Sequence, residues 1–429
     1  MGLRTSRRAV LTGLAALLLF VPAAVSAPPL AWQDRIEVAV GGGERGPWRQ
    51  NDSRYDFVDD PTVAIDDRGD VAVAWVDQAR KDVLVQRVAA DGTKRGQPID
   101  VSRSPATFSW LPRIVLVPRD PKKIRVLWQE IIFSGGSHGG DIVFARSDDG
   151  GTTFSEPLNL SSSVAGDGKG RITKDVWHNG SLDLAADSGD TVYAVWTEYE
   201  GALWLSRSPD GGRRFSRPRR IAGDDARPAR APSLALGADR TVYLAWTIGE
   251  DDAADVRVAR STDGGATFGK PRIVARTKGY SDAPKLAVDP GGALHLVYGE
   301  DHRVWYTRST DGARTFAPPR EISGPAAGFP SLSIDAKGSV YVLWELFRDH
   351  PYRPRGLGFV VSRDGGRAFT PAAAVPDSAD PAGGWNGSSQ GLLMKKLAVN
   401  ARGALAIVNS SLRDRERSRV WLIRTGGRP

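Results

Sequence analysis

Apolar and polar residues alternate along this chain in short runs, and almost nowhere do they recur at helical spacing. Val256-Arg257-Val258-Ala259-Arg260 is typical. A period of two turns one face of such a segment to a core and the other to solvent, which describes a half-buried β-strand. Other runs are apolar throughout, as in Val242-Tyr243-Leu244-Ala245-Trp246, and are bounded by turn residues, the mark of a strand buried on both faces. The breaks are rich in Gly, Pro, Asp and Ser, and most of the 48 glycines and 28 prolines among 429 residues fall in them. From residue 28 onward no segment sustains a helical period, so the expectation is an all-β protein.

The runs recur in a fixed set. Ser147-Asp148-Asp149-Gly150-Gly151-Thr152-Thr153-Phe154 returns around Asp210, Asp263, Asp311 and Asp364, each time between two alternating runs. Gly supplies the positive φ of a tight hairpin turn, the carboxylate accepts N–H bonds of that turn, and the Phe is free to enter the core. Five near-identical copies indicate a framework device rather than a site. Upstream of each copy stand a Pro-anchored run, such as Pro232 to Leu236, and a run ending in an aromatic residue. Those endings are Trp75, Trp128, Trp196, Trp246, Tyr298 and Trp344, with a seventh version from Ala404 to Asn409. The count is seven four-stranded units, with six as the alternative if the last packs elsewhere. The final unit lacks a fourth strand, whereas Arg35 to Val40 stands alone near the start. Pairing the two closes a ring and removes the exposed sheet edges, so the expected architecture is a β-propeller closed by its N-terminal strand.

Composition adds limits. The absence of cysteine excludes disulfides, thiolate metal sites and a cysteine nucleophile. Residues 1–27 read as an export signal of the twin-arginine type: Arg7-Arg8, an apolar run from Leu14 to Val21, and Val25-Ser26-Ala27 as cleavage site. That run is shorter than the roughly 20 apolar residues of a membrane span. The expectation is an exported protein, periplasmic or extracellular, with 28–429 as a single propeller domain, monomeric and without a stable membrane anchor. Removing the three leader arginines from 58 basic residues, against 50 acidic, leaves +5, too diffuse a charge to indicate nucleic acid. Acidic pairs such as Asp224-Asp225 lack the spacing of a calcium loop, and no cofactor or metal is expected.

The repeated Ser-x-Asp-x-Gly-x-Thr-aromatic segment resembles the Asp-box, or BNR repeat, and the chain resembles the sialidase superfamily of propellers. That resemblance implies a carboxylate clamp of three arginines, a Tyr nucleophile paired with Glu, and an Asp acid/base. The chain departs from the pattern in two places: Val58-Asp59-Asp60-Pro61 puts an acid where the first-blade Arg belongs, and seven units stand in place of six. Arginine holds the corresponding register only in the fourth unit, at Arg230.

In a propeller the loops leading into the innermost strands share a face with those joining second to third strands, opposite the Asp-box turns. Long insertions at Ser161 to Val176, Phe347 to Leu357 and Asp377 to Gly391 fall on that face. So do His138, His178, His302 and His350. The register two residues before the anchoring Pro, or its equivalent, holds Asp59, Trp110, His178, Arg230, Asp282, Gly328 and Leu393; a ring that does not repeat is expected where each blade offers a different group to one ligand. A second ring, Asp77, Glu130, Glu198 and Glu300, follows the strand-ending aromatics. Glycoside hydrolysis uses two carboxylates about 5 to 9.5 Å apart, or a Tyr assisted by Glu. Glu198, Tyr199, Arg230 and Asp282 are accordingly the catalytic candidates. Recurrence of that ring in four units favours a structural role. Trp48, Trp110, Trp177, Tyr280, Phe329, Tyr352 and Trp385 offer flat faces for sugar stacking. Arg348, Arg353 and Arg355, beside His350, suit a carboxylated or sulfated group. The substrate-binding candidates are Asp59, Trp110, Glu130, Trp177, His178, Tyr280, Glu300, Arg348 and Arg353. The expected activity is recognition of a glycan or glycoconjugate, with sialidase-type exo-hydrolysis open. The rival is a non-catalytic scaffold that binds a protein or polysaccharide.

Overall fold

The computed structural model describes residues 30–47, 52–104, 107–131, 141–161, 181–198, 201–224, 226–249, 254–274, 279–350, 353–387 and 393–426. The chain divides into two units, Met1–Ala31 and Trp32–Pro429. The second unit consists of seven four-stranded antiparallel sheets. From inner to outer strand, blade 1 runs Val58–Ile65, Val71–Asp77, Asp82–Val88 and Lys94–Asp100, and blade 2 runs Phe108–Val117, Asp120–Ile131, Asp141–Ser147 and Leu158–Asn159. Blade 3 is Leu182–Ala186, Val192–Thr197, Leu203–Ser208 and Arg219–Ala222; blade 4 is Ala229–Leu236, Val242–Ile248, Asp255–Ser261 and Arg272–Ile273. Blade 5 is Asp282–Val288, Leu294–Glu300, Arg303–Ser309 and Arg320–Glu321; blade 6 is Ala327–Ile334, Val340–Leu346, Leu357–Ser362 and Ala373–Ala374. Blade 7 takes Leu397–Val399, Leu405–Arg413 and Arg417–Arg424 from the C-terminal part of the chain, and Ile36–Gly41 as its outer strand. The closing strand is antiparallel, with Ile36 opposite Leu422 and Gly41 opposite Ser418. The expected all-β, seven-bladed propeller, closed by its N-terminal strand, is the fold observed.

The framework residues do what their recurrence implies. All six aromatic residues that end the second strands are at most 2% exposed. Each fills the space between neighbouring sheets, where a large flat side chain removes the most apolar surface from water. In blade 7 the equivalent position is Asn409, buried, and its amide donates to Glu345 of blade 6 at 3.1 Å. The five Ser-x-Asp-x-Gly segments are the turns between third and outer strands of blades 2 to 6. In blade 4, Ser261 Oγ donates to Asp263 at 2.7 Å and accepts the Gly265 N–H at 2.8 Å, while Asp263 accepts the Thr267 N–H at 2.8 Å. Gly264 and Gly265 have φ of 71° and 80°, which a side chain would strain. The same bonds hold Asp149, Asp210, Asp311 and Asp364, and Phe154, Phe215, Phe268, Phe316 and Phe369 pack onto the interblade cores.

Neighbouring blades are also stitched at the axis. Asp183 accepts the Leu234 N–H at 2.8 Å, Ser233 that of Leu286 at 3.0 Å, and Ser331 that of Lys396 at 3.3 Å. Each of these inner strands thus uses one buried polar side chain to satisfy the backbone of the next.

Candidate functional site

The loops leading into the inner strands and those joining second to third strands share one face, and five inner strands begin there with the same distortion. Strand register shifts between Asp59 and Thr62, Trp110 and Arg113, Arg230 and Ser233, Asp282 and Lys285, and Gly328 and Ser331. In each case the residue before the anchoring proline has positive φ: Asp60 (51°), Leu111 (57°), Ala231 (49°), Ala283 (54°) and Phe329 (51°). A non-glycine residue there is strained, and a following proline disfavours compact backbone further. The bulge re-aims the chain at the mouth of the axis. Ala231, Ala283 and Phe329 accordingly meet in one apolar cluster with Leu393.

Of the first candidate ring, Asp59, Trp110 and Arg230 are buried in the blades, Asp282 is half-buried, and Leu393 joins the axial cluster. Asp59 is buried and accepts from Gln78 Nε2 at 3.0 Å. Trp110 is buried against Phe108, with ring centroids 5.9 Å apart. Arg230 is 0% exposed; its Nη1 donates to the Gly249 carbonyl at 2.9 Å, its Nη2 lies 3.9 Å from Asp282, and its guanidinium stacks 4.6 Å from the Tyr280 ring centroid. Asp282 also accepts from Thr247 at 3.0 Å. Three candidates from blade 4 and the start of blade 5, Arg230, Tyr280 and Asp282, are thus brought together, with Tyr280 and Asp282 half-buried above the buried arginine.

In the second ring, Glu130 and Glu198 each accept from the indole N–H two residues earlier, at 3.0 Å from Trp128 and Trp196. Glu130 is buried as well, and burial pushes its carboxyl up to about 7 although Ser109, Thr107 and Trp128 donate to it. Glu300 accepts from Ser281 at 2.6 Å, and Asp77 accepts the Arg80 N–H at 3.2 Å. Arg348 and His350 are exposed. Arg353, also exposed, stacks 4.2 Å from the ring centroid of Trp385. Trp177, His178, Tyr199, Trp48, Tyr352 and His138 lie outside the described residues, as do most of the 161–176 insertion and the signal segment.

Two features of this face go beyond the candidate rings, which share only Leu393 with them. The first is a plug. After the long loop leading into blade 7, Leu393 to Lys396 crosses the axis, and buried charges hold it. The Leu393 carbonyl accepts from Lys285 Nζ at 3.1 Å and Arg113 Nη2 at 3.3 Å. Lys395 Nζ lies 2.9 Å from Asp183, and Lys396 is paired with buried Glu345, which also accepts from Asn386 at 2.7 Å. Burial pushes the Lys285 amine down to about 7, aided by the nearby positive charge of Arg113, and pushes Arg113 down to about 10. Burial alone would raise Asp183, but Lys395, Lys285, Arg113 and the Leu234 N–H hold it below the usual carboxylate range. The signal for this cluster is the position after the anchoring proline, where Arg113, Ser233, Lys285 and Ser331 interrupt strands that are otherwise apolar.

The second feature is an off-axis groove of about 820 Å³, lined by Gly46, Pro47, Asp52, Ser53, Arg54, Tyr55, Gln78, Ala79 and Lys81. One wall is the loop that precedes blade 1, the other the turn between its second and third strands. Tyr55 is half-buried, so its ring forms a wall while Arg54 stays exposed at the rim. Lys81 is positioned by the Phe108 ring, 5.2 Å from its centroid. Volumes of about 300–1,000 Å³ are usual for small-molecule sites. Nothing in this segment repeats elsewhere in the chain, which is why repeat counting passes over it. No group of three or more His, Cys, Asp or Glu that would hold a metal ion occurs among the described residues.

No family profile and no curated protein matches the chain. Solved structures do. A polysaccharide lyase aligns with TM-score 0.58 at 12% identity, covering 93% of this chain and 100% of that one. An ulvan lyase of polysaccharide lyase family PL25, bound to -[GlcA(1-4)Rha3S]-, aligns with TM-score 0.56 at 11% identity over 90% of this chain and 95% of that one. A Trypanosoma rangeli sialidase in complex with sialic acid aligns with TM-score 0.50 at 14% identity over 80% of this chain and 57% of that one. At such identities the likeness is one of fold. The chain shares the β-propeller architecture of these proteins.

Proposed function

We propose that this propeller recognises a glycan or glycoconjugate on the loop face, at the groove between the segment preceding blade 1 and the turn after its second strand. The observation that carries the reading is the groove itself: a half-buried tyrosine ring, the cations Arg54 and Lys81 against the single acid Asp52, and the buried Ser53 and Gln78, around a space of about 820 Å³. A sugar presents apolar ring faces and a rim of hydroxyls, and it is bound by an aromatic wall with polar groups at its edge. Arg54 and Lys81 favour a sugar that carries a carboxylate or sulfate. Support of a weaker kind comes from the fold, since propellers of this shape include the polysaccharide lyases and the sialidase named above. Export by the leader, action outside the cytoplasm and a monomeric state are part of the same proposal. The test is binding of the purified propeller to immobilised carboxylated, sulfated and neutral glycans. Retention on charged glycans that Arg54→Ala weakens at least tenfold supports the reading, and equal retention of wild type and variant contradicts it.

A second reading, glycan hydrolysis at a separate place on the loop face between blades 4 and 5, is favoured by the convergence of Arg230, Tyr280 and Asp282. An arginine beneath a tyrosine, with a carboxylate alongside, contains the residue types of sialidase-type chemistry, and Glu198 with Tyr199 remains the other candidate pair. This reading expects sugar release from a mixed glycan panel, lost in Tyr280→Phe and in Asp282→Asn with binding retained. Absence of release alongside measurable binding makes the protein a non-catalytic glycan-binding scaffold.

A further inference from the structure

The groove does not end at its own rim. The Arg45 backbone forms an isolated bridge with Tyr55, a groove residue. Arg45 Nη1 lies 3.8 Å from Asp414 in the turn between the second and third strands of blade 7. That turn is fastened to the same loop, because the Arg415 N–H donates to the Gly43 carbonyl at 2.8 Å. On its other side, Leu412 and Trp385 exchange backbone bonds of 2.8 and 3.1 Å, which places the Trp385 ring and its stacked Arg353 beside the same hairpin. The platform is built rather than incidental. The Asn386 N–H donates to the Pro354 carbonyl at 2.7 Å, and its side chain donates to Glu345 and to the Gly356 carbonyl. Both loops that make the Arg353–Trp385 stack are therefore tied to one buried amide.

The charges along this path are mixed, and pairing takes up acids at blades 6 and 7 but not those at the blade 1 end. Asp414 pairs with Arg45, Glu416 with Arg413 at 2.7 Å, and Asp349 with Arg355 at 3.3 Å. Glu44, Asp52 and Asp56 are further acids at its blade 1 end; Asp56 accepts the Glu44 N–H at 2.7 Å. Arg353, Arg415 and Arg54 are exposed and carry no ion pair among the described residues. They sit at the far end, the middle and the groove end of the path. A stacked guanidinium is held planar with its N–H edge outward, ready for bidentate contact with a carboxylate or sulfate.

We propose that an extended anionic polysaccharide lies along this path, from the groove at blade 1 across the blade 7 hairpin to the Arg353–Trp385 platform at blade 6, so that the protein grips internal stretches of a chain rather than only its end. The inference rests on the glycan reading above and adds to it polymer length and a second contact region. Spaced cations match the spaced charges of such a chain, and contact at several points raises affinity through effective concentration.

The experiment is calorimetric titration with oligogalacturonides of two, four and ten units, with sulfated dextran fragments and neutral maltooligosaccharides of similar lengths, and with single-stranded DNA of matched charge. Affinity for the carboxylated or the sulfated series is expected to rise at least tenfold from the shortest to the longest member and to fall with added salt; which series rises identifies the anionic group. Arg353→Ala and Arg415→Ala are expected to abolish that gain with length, whereas Arg54→Ala weakens every length. These side chains are exposed, and unchanged melting of the variants checks the fold. Affinity that does not depend on length, or a gain with length that survives Arg353→Ala and Arg415→Ala, overturns the extended path and leaves the groove reading standing. No binding to any oligosaccharide overturns both. DNA binding as tight as that of the longest sugar, with the same dependence on Arg353, overturns the assignment to polysaccharide.

Discussion

Replacing Lys285 by Met should make the protein more stable near neutral pH, and the gain should vanish in base. The amine is fully buried among Arg113 and Lys395, with Asp183 and Asp282 as the compensating acids, and burial lowers it from its ordinary 10.5 to about 7. At about 1.4 kcal/mol per pKa unit, that displacement disfavours the folded state by roughly 5 kcal/mol at pH 7, as an upper bound. The sign follows from proton counting. Between about pH 7 and 10.5 the unfolded chain keeps a proton that the folded chain has released, so stability rises with pH by about 1.4 kcal/mol per unit. Below pH 7 both states hold the proton and the penalty is constant; above 10.5 neither does. Methionine has no proton to release, and Arg113 still donates to the Leu393 carbonyl at 3.3 Å. Urea unfolding of wild type and Lys285→Met at pH 7.5 and 9.5 should show the advantage of the variant shrinking by about 2.7 kcal/mol over those two units. Parallel pH profiles would refute the reasoning and mean that water or a rearranged plug solvates the amine.

Other outcomes can be checked in the same way. Glu130 is raised from 4.5 to about 7, so wild-type stability should fall as pH rises from about 4.5 to 7 and stay low above; Glu130→Gln should remove up to about 3 kcal/mol of that fall in pH-dependent urea unfolding. Ser261→Ala breaks two bonds of a repeated turn, and denaturant titration should show a loss of about 1–2 kcal/mol. A chain lacking residues 30–41 exposes the Arg417–Arg424 edge of blade 7; light scattering should detect association, and calorimetry a broadened transition.

The fold was legible because its devices repeat. Asp149, Asp210, Asp263, Asp311 and Asp364 announce their turns, the strand-ending tryptophans count the blades, and the unpaired run from Arg35 to Val40 meets the blade that lacks a strand. A quieter device leaves no such trace: Asp66, Asp187, Asp289, Asp335 and Asn400 each accept turn N–H groups between first and second strands, as Asp335 does from Ser339 at 2.8 Å. Single Asp or Asn residues in varied surroundings form no motif. The face that carries the loops was also legible, but what its residues do there depends on direction. The bulge before each anchoring proline leaves Arg230 and Asp59 buried within their blades, and register alone does not reveal a bulge. The plug joins Arg113, Asp183, Lys285 and Leu393 across hundreds of residues. The groove belongs to a segment with no counterpart in other blades, so only the folded chain sets Tyr55 opposite Lys81.

The central claim is that the groove face at blade 1 binds glycan, and hydrogen exchange with and without a saturating charged oligosaccharide tests it most directly. Slowed exchange in residues 41–57 and 77–83, with the turns around Asp149, Asp210 and Asp263 on the opposite face unchanged, is the expected result. Binding accompanied by protection only at those opposite turns, or at neither place, would contradict it.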